Sequence, residues 1–157
     1  MRALDEIDRR LVEILQRDGR ITMTRLAQAV ALSPRPVLER VRRLERDGVI
    51  GGYSAVLDPR RVEGLVTVMA EVTLRDQGRQ TQAQFERRIA ATPEVVACHL
   101  VSGAFDYVVR FACASLEAYR VLTSAWIDDP TAGVARIASM PELKTIKEFR
   151  GYPLARD

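Results

Sequence analysis

Ile21–Ile50 reads ITMTRLAQAVALSPRPVLERVRRLERDGVI and contains the start and end signals of two short helices. Ser33 and Pro34 suit the start of the second, because serine caps orphan N–H groups and proline needs no N–H there. Gly48 suits the left-handed residue that follows a helix end. Between these signals, one apolar stripe recurs at helical spacing: Val37, Val41 and Leu44. Two helices across a tight turn are the layout of a helix-turn-helix.

The second predicted helix is rich in arginine. Ser33–Arg46 contains five arginines and two glutamates, which gives a net charge of +3. Most charge runs are only solvated helix surfaces. In a helix-turn-helix, however, the second helix enters the major groove of DNA, and the phosphates attract cations whatever the sequence. The pattern therefore predicts a helix that binds double-stranded DNA.

The groove-facing side of this helix is predicted to comprise Ser33, Arg35, Pro36, Glu39, Arg40 and Arg43. Arg35 is placed for a bidentate guanine contact, because it lies in the first turn, where recognition helices meet base edges. Pro36 offers an apolar contact to a thymine methyl group. Arg42 and Arg46 are predicted to bind phosphates.

The predicted first domain, residues 1–60, is a winged helix-turn-helix. An earlier helix covers about Asp5 to Arg17, and the first helix of the pair covers about Thr22 to Val30. Gly51-Gly52 interrupts a β-rich stretch at 49–58, which predicts a short hairpin or wing. Asp58–Gly64 contains Pro59 and is interpreted as a connector.

The predicted second domain, residues 65–157, alternates strand and helix signals. Strands are predicted at 65–74, 95–101, 105–113, 134–140 and 145–149, and helices at 80–91 and 115–127. The order β-α-β-β-α-β is typical of a ferredoxin-like sandwich, so the fold class is α+β.

Both faces of this sheet are expected to be apolar. Val68 and Met69 should point to opposite sides, as should Val108 and Val109. Because the helices cover one face, the other is expected to be buried against another copy. We therefore predict a homodimer, whose two-fold symmetry also suits a palindromic DNA site.

Charge is unevenly distributed along the 157 residues. Residues 1–60 carry 12 arginines against 9 acidic residues, whereas residues 61–157 carry 12 basic and 12 acidic residues. The excess positive charge falls in the predicted DNA-binding half. The sequence has no apolar run long enough for a membrane span or a secretory signal. Cys98 and Cys113 lie in apolar contexts typical of reduced core residues. A cytoplasmic protein with no membrane association is expected.

The sequence gives no support to an enzyme. His99 is the only histidine and falls within a predicted strand, where a packing role is more common than a catalytic one. Cys98 and His99 are adjacent in that strand, so they point to opposite faces and cannot chelate one metal. Ser-His-Asp, CxxC, P-loop and GxGxxG arrangements are all absent from the sequence. We expect no catalysis, no metal and no cofactor.

Short segments in both halves match a known family. They include Leu4-Asp5, Asp18–Ile21, Leu32-Ser33-Pro34, Val101-Ser102-Gly103 and Phe105-Asp106-Tyr107. Over almost its whole length the chain resembles the leucine-responsive regulator/asparagine regulator (Lrp/AsnC) family of transcription factors. The resemblance implies a winged helix-turn-helix joined to a ligand-sensing domain, in dimers that often assemble into tetramers or octamers. It also implies regulation by a small effector, commonly an amino acid.

In that family the effector lies near the turn between the second and third strands, which here comprises Ser102, Gly103, Ala104 and Asp106. Backbone N–H groups at Gly103 and Ala104 could bind a carboxylate, and Asp106 an ammonium. An ordinary turn capped by an aspartate fits these residues equally well.

Two positions near the end of the domain depart from the family pattern. Ser139 stands in the region where the family usually has a threonine of the effector site. Glu142 is an acid where an apolar residue is usual, so it would either repel an effector's carboxylate or recruit a basic side chain.

Two other functions remain open. One is a low-specificity DNA-organising protein, which differs from a specific regulator only in its ratio of specific to non-specific affinity. The other is an effector sensor without a specific operator, against which the arginine-rich helix argues.

Overall fold

The computed structural model describes residues 4–58, 61–147 and 149–154. Within these residues the chain forms two compact units. The first extends to Val56 and also includes the segment from Ile146 onward, and the second comprises Leu57–Thr145. Every described helix is too short or too polar to span a lipid bilayer.

Three helices form the first unit: α1 (Glu6–Arg17), α2 (Met23–Ala29) and α3 (Pro34–Arg46). Asp5 caps α1 and Thr22 caps α2, each accepting a backbone N–H from three residues ahead. The apolar faces of the three helices share one core: Leu11, Leu15, Leu26, Ala27, Val37 and Val41. The predicted helix-turn-helix is confirmed, with α2 and α3 as its two helices.

The ends of α3 follow the sequence signals with one difference. Pro34 begins the helix and Ser33 has the extended backbone of a cap, but the Ser33 side chain makes no capping hydrogen bond. Gly48 follows the helix with a φ of +72°. The backbone N–H groups of Val49 and Ile50 then both donate to the Leu44 carbonyl. This closed turn fixes the C-terminal end of the arginine-bearing helix.

The wing segment does not form the predicted hairpin, because residues 49–58 contain no β-strand. Gly51 and Gly52 provide no side chain for cross-strand packing, and an isolated two-stranded hairpin is marginally stable at best. Tyr53 instead holds the segment to α3, since its hydroxyl donates to Glu45 Oε1 at 3.0 Å. Pro59 and Arg60 of the predicted connector lie outside the described residues.

The second unit is a four-stranded antiparallel sheet with two helices. Its strands are β1 (Val66–Leu74), β2 (Val95–Leu100), β3 (Tyr107–Cys113) and β4 (Val134–Pro141), and its helices are α4 (Arg79–Ala90) and α5 (Leu116–Asp128). The strand order is β2-β3-β1-β4. This order confirms the predicted ferredoxin-like arrangement.

One face of the sheet and both helices enclose the core of the second unit. Alternate residues of β1 and β3 are buried there, among them Val68 and Phe111. Phe85 of α4 and Trp126 of α5 pack edge to face, with ring centroids 5.9 Å apart. Because all four side chains are at most 2% exposed, this core fixes both helices on one side of the sheet.

The opposite face of the sheet is mixed, not simply apolar as predicted. Met69 and Val108 do lie on it, but so does an ion pair between Arg110 and Glu142. Glu142 accepts from Arg110 Nε at 2.9 Å and Nη2 at 3.0 Å, and from the Thr67 hydroxyl at 2.9 Å. Glu142 therefore recruits a basic side chain, one of the two outcomes that the sequence left open.

The chain after β4 differs from the prediction. The predicted strand at 145–149 is not formed by its described residues, and Glu148 lies outside them. The segment from Ile146 onward belongs to the first unit, whereas the predicted second domain, 65–157, includes it. The side-chain amide of Gln16 on α1 holds this segment, because it forms hydrogen bonds with both the backbone N–H and the backbone carbonyl of Tyr152. Gln16 Oε1 accepts from the Tyr152 N–H at 2.6 Å, and Gln16 Nε2 donates to the Tyr152 carbonyl at 3.2 Å.

Candidate nucleic-acid interface and effector site

The side of α3 opposite its buried stripe is a row of exposed charges: Arg35, Glu39, Arg42 and Arg46. Arg35 and Glu39 form an ion pair with 3.6 Å between Nε and Oε1, and their side chains are 91% and 68% exposed. Such an exposed pair contributes little, roughly 0–1 kcal/mol. Arg35 can therefore exchange Glu39 for another partner at low cost.

Arg42 and Arg46 lie on the same exposed side, and neither forms an ion pair within the described part of the chain. Arg46 is in the last turn of α3, where a cation also complements the helix dipole. Two guanidinium groups on one side of a core-anchored helix, without an ion-pair partner in the described ranges, are suited to bind phosphates.

Arg40 and Arg43, both predicted to face the groove, instead have partners on α1. Arg40 Nη1 donates to Asp5 Oδ2 at 2.5 Å and to Asp8 Oδ1 at 2.8 Å. Arg43 Nη2 donates to Asp8 Oδ2 at 2.5 Å. Asp8 is only 3% exposed. One buried carboxylate thus joins two arginines of α3 to α1.

Electrostatics agree with this pairing. Partial burial is the largest single effect on Asp5 and opposes its ionisation, but the hydrogen bonds from Arg40 and from the Asp8 N–H, together with the charges of Arg40 and Arg43, outweigh it, so the pKa of Asp5 lies below its ordinary value. The same hydrogen bonds to Asp5 and Asp8 raise the pKa of Arg40. Both shifts favour the charged forms of Asp5 and Arg40, so this pair is ionised at neutral pH.

The role of Asp8 was missed in the sequence, although a signal for it was present. Asp8 falls four residues after Leu4 and three before Leu11, which places an acid within the apolar stripe of α1. A carboxylate on a buried stripe requires a cationic partner. The sequence could not show which arginines would supply it.

The remaining predicted groove residues lie at the start of α3. Ser33 is exposed and its hydroxyl is not used in capping, and Pro36 is partly exposed. Both are therefore accessible to a ligand at the N-terminal end of the helix, next to Arg35.

The predicted effector turn between β2 and β3 is open to solvent at its tip. Ser102, Gly103 and Ala104 are exposed, and Gly103 has a φ of +146°. A side chain there would meet no atom within 4 Å, so space is available beside the turn. Glycine is favoured at Gly103 by its backbone conformation and not by crowding.

Asp106 at the base of this turn already has partners. Its Oδ2 accepts the Leu74 backbone N–H at 2.8 Å, and its Oδ1 accepts from Gln77 Nε2 at 3.2 Å. Its own N–H donates to the Val72 carbonyl at 2.9 Å. Asp106 therefore joins the turn to the end of β1 through its side chain.

Ser139 lies apart from the turn. It belongs to β4, opposite Ala70 of β1, and β1 separates β4 from β3. Its hydroxyl is 2.6 Å from the hydroxyl of Tyr119 on α5. Within one chain, the structure does not bring Ser139 together with the other predicted effector residues.

The thiols are reduced and weakly acidic. Cys98 and Cys113 are both free, and burial, together with the nearby Glu86 carboxylate, raises the pKa of Cys98 to about 11. The described residues include no cluster of histidine, cysteine or acidic side chains able to hold a metal ion.

Comparison with known proteins assigns both halves of the chain. The family described as "Winged helix-turn-helix DNA-binding" matches residues 4–50. The family described as "Lrp/AsnC ligand binding domain" matches residues 67–152. The leucine-responsive regulatory protein of Escherichia coli strain K12 is 44% identical over 119 residues, which are 76% of this chain and 73% of that protein.

Solved structures show the same likeness. A Neisseria meningitidis transcriptional regulator in complex with L-Met superposes with a TM-score of 0.85 at 29% identity, covering 96% of this chain and 97% of that one. The leucine response regulatory protein of Mycobacterium tuberculosis superposes with a TM-score of 0.76 at 37% identity, covering 92% and 96%. The helix-turn-helix, the four-stranded sandwich and these matches together show that the chain belongs to the Lrp/AsnC family of DNA-binding transcription regulators.

Proposed function

We propose that this regulator binds double-stranded DNA sequence-specifically, with α3 in the major groove. The observation that carries the proposal is the exposed charged side of α3, opposite a stripe anchored in the core. A rigid helix with cations on its outer side has the shape and charge that the groove accepts.

Base recognition is assigned to the start of α3. Arg35 is nearly fully exposed, and its pair with Glu39 is weak, so it can donate two hydrogen bonds to a guanine. Glu39 can then accept from a cytosine amino group. Pro36 contacts a thymine methyl group, and the free Ser33 hydroxyl hydrogen-bonds to a base or a phosphate.

Phosphate binding is assigned to Arg42 and Arg46, which have no ion-pair partner within the described residues. Arg40 and Arg43 are not included in this assignment, because Asp5 and Asp8 hold their guanidinium groups at 2.5–2.8 Å. The DNA-contacting set is thus narrower than the sequence suggested.

We further propose that two copies of the chain form a dimer through the face of the sheet that the helices leave uncovered. Met140 is 46% exposed and lies opposite Met69 of β1, on the face that also bears Val108. The charges of Arg110 and Glu142 satisfy each other on this face, which reduces the cost of burying them. A homodimer presents two α3 helices to a palindromic site, and further assembly into tetramers or octamers would join several sites.

An amino acid is the proposed effector, bound at the Ser102–Ala104 turn. Support comes from the space beside Gly103 and from the Neisseria meningitidis regulator, which was solved with L-Met. Because Asp106 already has two donors, the effector's ammonium would share this carboxylate. Ser139 lies on another strand, so it would reach the effector only from a second copy.

Other functions receive less support. A low-specificity DNA-organising protein needs cations but no base-reading set, whereas the exposure of Arg35 and Glu39 and the partial exposure of Pro36 at one end of α3 support such a set. A sensor without an operator would not need the exposed charged side of α3. We propose a non-enzymatic role, since the relatives are regulators, and a cytoplasmic location, since the protein acts on DNA.

Two arginine variants test the DNA-binding assignment. Arg35→Ala should reduce sequence preference by roughly 1–3 kcal/mol at one base position. Arg46→Ala should weaken binding to all duplexes alike and make the salt dependence shallower by about 0.9, the value for one phosphate contact. Binding is measured by fluorescence anisotropy with a duplex selected from a random pool and a scrambled duplex of the same composition. Indistinguishable behaviour of the two variants would contradict the assigned roles.

A further inference from the structure

The pairing between α1 and α3 has a consequence for DNA binding that depends on the function proposed above. Asp8 holds arginines from two successive turns of α3, and it is 3% exposed. The Arg40 and Arg43 side chains remain 27% and 31% exposed. Two cations at the edge of the recognition helix are thus bound inward, although part of each side chain reaches solvent.

We propose that Asp8 is a positioning residue that limits non-specific DNA binding by keeping Arg40 and Arg43 from phosphates. Phosphate contacts carry no sequence information and supply essentially all non-specific affinity. Each guanidinium that Asp8 retains therefore removes affinity from every DNA sequence alike. The base-reading residues at the other end of α3 are unaffected, so the ratio of specific to non-specific affinity rises.

Geometry favours retention by Asp8 over sharing with DNA. A charge-assisted hydrogen bond to a buried carboxylate is stronger than one to a solvated phosphate, because water screens it less. Transfer of Arg43 to a phosphate would also leave a charged oxygen of Asp8 buried without a donor, which is costly. Asp5 supplies a second acceptor to Arg40 at 2.5 Å. Among the described residues, Arg43 hydrogen-bonds through its guanidinium group to Asp8 alone, so it is the cation that a change at position 8 would release.

Asp8→Asn tests the proposal with almost no change in side-chain shape. The neutral amide no longer balances Arg43, which becomes available to phosphate. We expect tighter binding to a scrambled duplex and a salt dependence steeper by about 0.9 for each phosphate gained. One added contact therefore increases the loss of affinity between 50 and 200 mM salt by about 3.5-fold.

Two further variants serve as controls. Glu6→Gln removes one negative charge from an exposed position of the same helix, so it should leave the salt dependence unchanged. Adding Arg43→Gln to Asp8→Asn should restore the wild-type salt dependence. If circular dichroism shows that Asp8→Asn does not fold, the salt dependence of DNA binding by the Arg43→Gln single variant tests the proposal instead. An unchanged salt dependence supports the proposal, and one shallower by about 0.9 shows that Arg43 already contacts phosphate and overturns it.

The outcomes separate this inference from the proposed function. The folded Asp8→Asn variant could bind both duplexes more weakly while keeping the wild-type salt dependence. That result would show that Asp8 has a structural role alone, and it would overturn the inference. An unchanged affinity and salt dependence overturns it equally. A wild-type protein without salt-dependent affinity for either duplex would instead refute the function from which the inference starts.

Discussion

Replacing Gly151 with alanine should release the C-terminal segment from α1. Gly151 has a φ of +116°, which L side chains rarely adopt. A Cβ atom at this position would lie 2.3 Å from Gln16 Oε1 and 2.6 Å from Gln16 Cδ. The same Gln16 amide forms both hydrogen bonds to the Tyr152 backbone. The alanine therefore collides with the group that holds the segment.

The docking free energy of the C-terminal segment can be compared with the strain that Gly151→Ala introduces. Two partly exposed hydrogen bonds contribute about 0.5–1.5 kcal/mol each, so docking gains roughly 1–3 kcal/mol. Backbone strain in this region costs about 1–3 kcal/mol for a residue with a side chain, before the overlap with Gln16 is counted. The total cost thus exceeds the gain, and the segment should be mainly undocked. Each 1.4 kcal/mol lowers the ratio of docked to free segment about tenfold.

Limited trypsin digestion measures this release, because Lys147 and Arg150 provide cleavage sites within the segment. Mass spectrometry should show faster cleavage there in Gly151→Ala and Gln16→Ala than in the wild type. Gly51→Ala is the matched control, since a Cβ there would meet no atom within 4 Å. Wild-type cleavage rates in both test variants would show that these hydrogen bonds do not hold the segment.

The remaining predictions concern the second unit. Burial is the largest single effect on Glu142 and disfavours its charged form, but the hydrogen bonds from Arg110 and Thr67, together with the charge of Arg110, outweigh it and lower the pKa of Glu142. Its contribution to unfolding free energy, roughly 1.5–3 kcal/mol for a charged hydrogen bond, should be complete above the ordinary glutamate pKa. It should be lost as the pH falls through the lowered value. Denaturant titrations of wild type and Glu142→Gln should therefore differ at pH 7 and converge in acid; a constant difference would contradict this cause. If the effector is an amino acid, one of the common amino acids should raise the melting temperature of the protein. At a free concentration of 100 times its Kd, it should raise the free energy of unfolding by about 2.7 kcal/mol. Gly103→Val should abolish this ligand-induced stabilisation. If the stabilisation persisted in the variant, the effector would bind elsewhere.

Local signals in the sequence predicted the bounds of α3, the second helix of the helix-turn-helix, accurately. The bounds of α3 follow from Pro34 and from Gly48, whose effects act within one turn of the helix. Strand and helix order in the second unit was likewise predictable, because alternation and helical periodicity are read over short windows. With that order known, few sheet topologies remain.

Features that depend on distant partners were not predictable. Residues 145–149 have strand-like composition, but none of those that the structure describes joins the sheet, and those from Ile146 onward belong to the first unit. Arg40 and Arg43 match a groove-facing pattern, yet Asp8, more than 30 residues earlier, determines where their guanidinium groups point. Side-chain periodicity reports which face a residue occupies and does not report its partner.

The position of the last segment means that the sandwich is inserted between two parts of one domain. Leu57–Thr145 interrupts a unit whose helices precede it and whose final piece follows it. A hybrid regulator made by joining residues 1–56 to another sensor would leave Gln16 without the Tyr152 backbone. Exchange of sensors between such proteins should therefore keep both flanking pieces from the same parent.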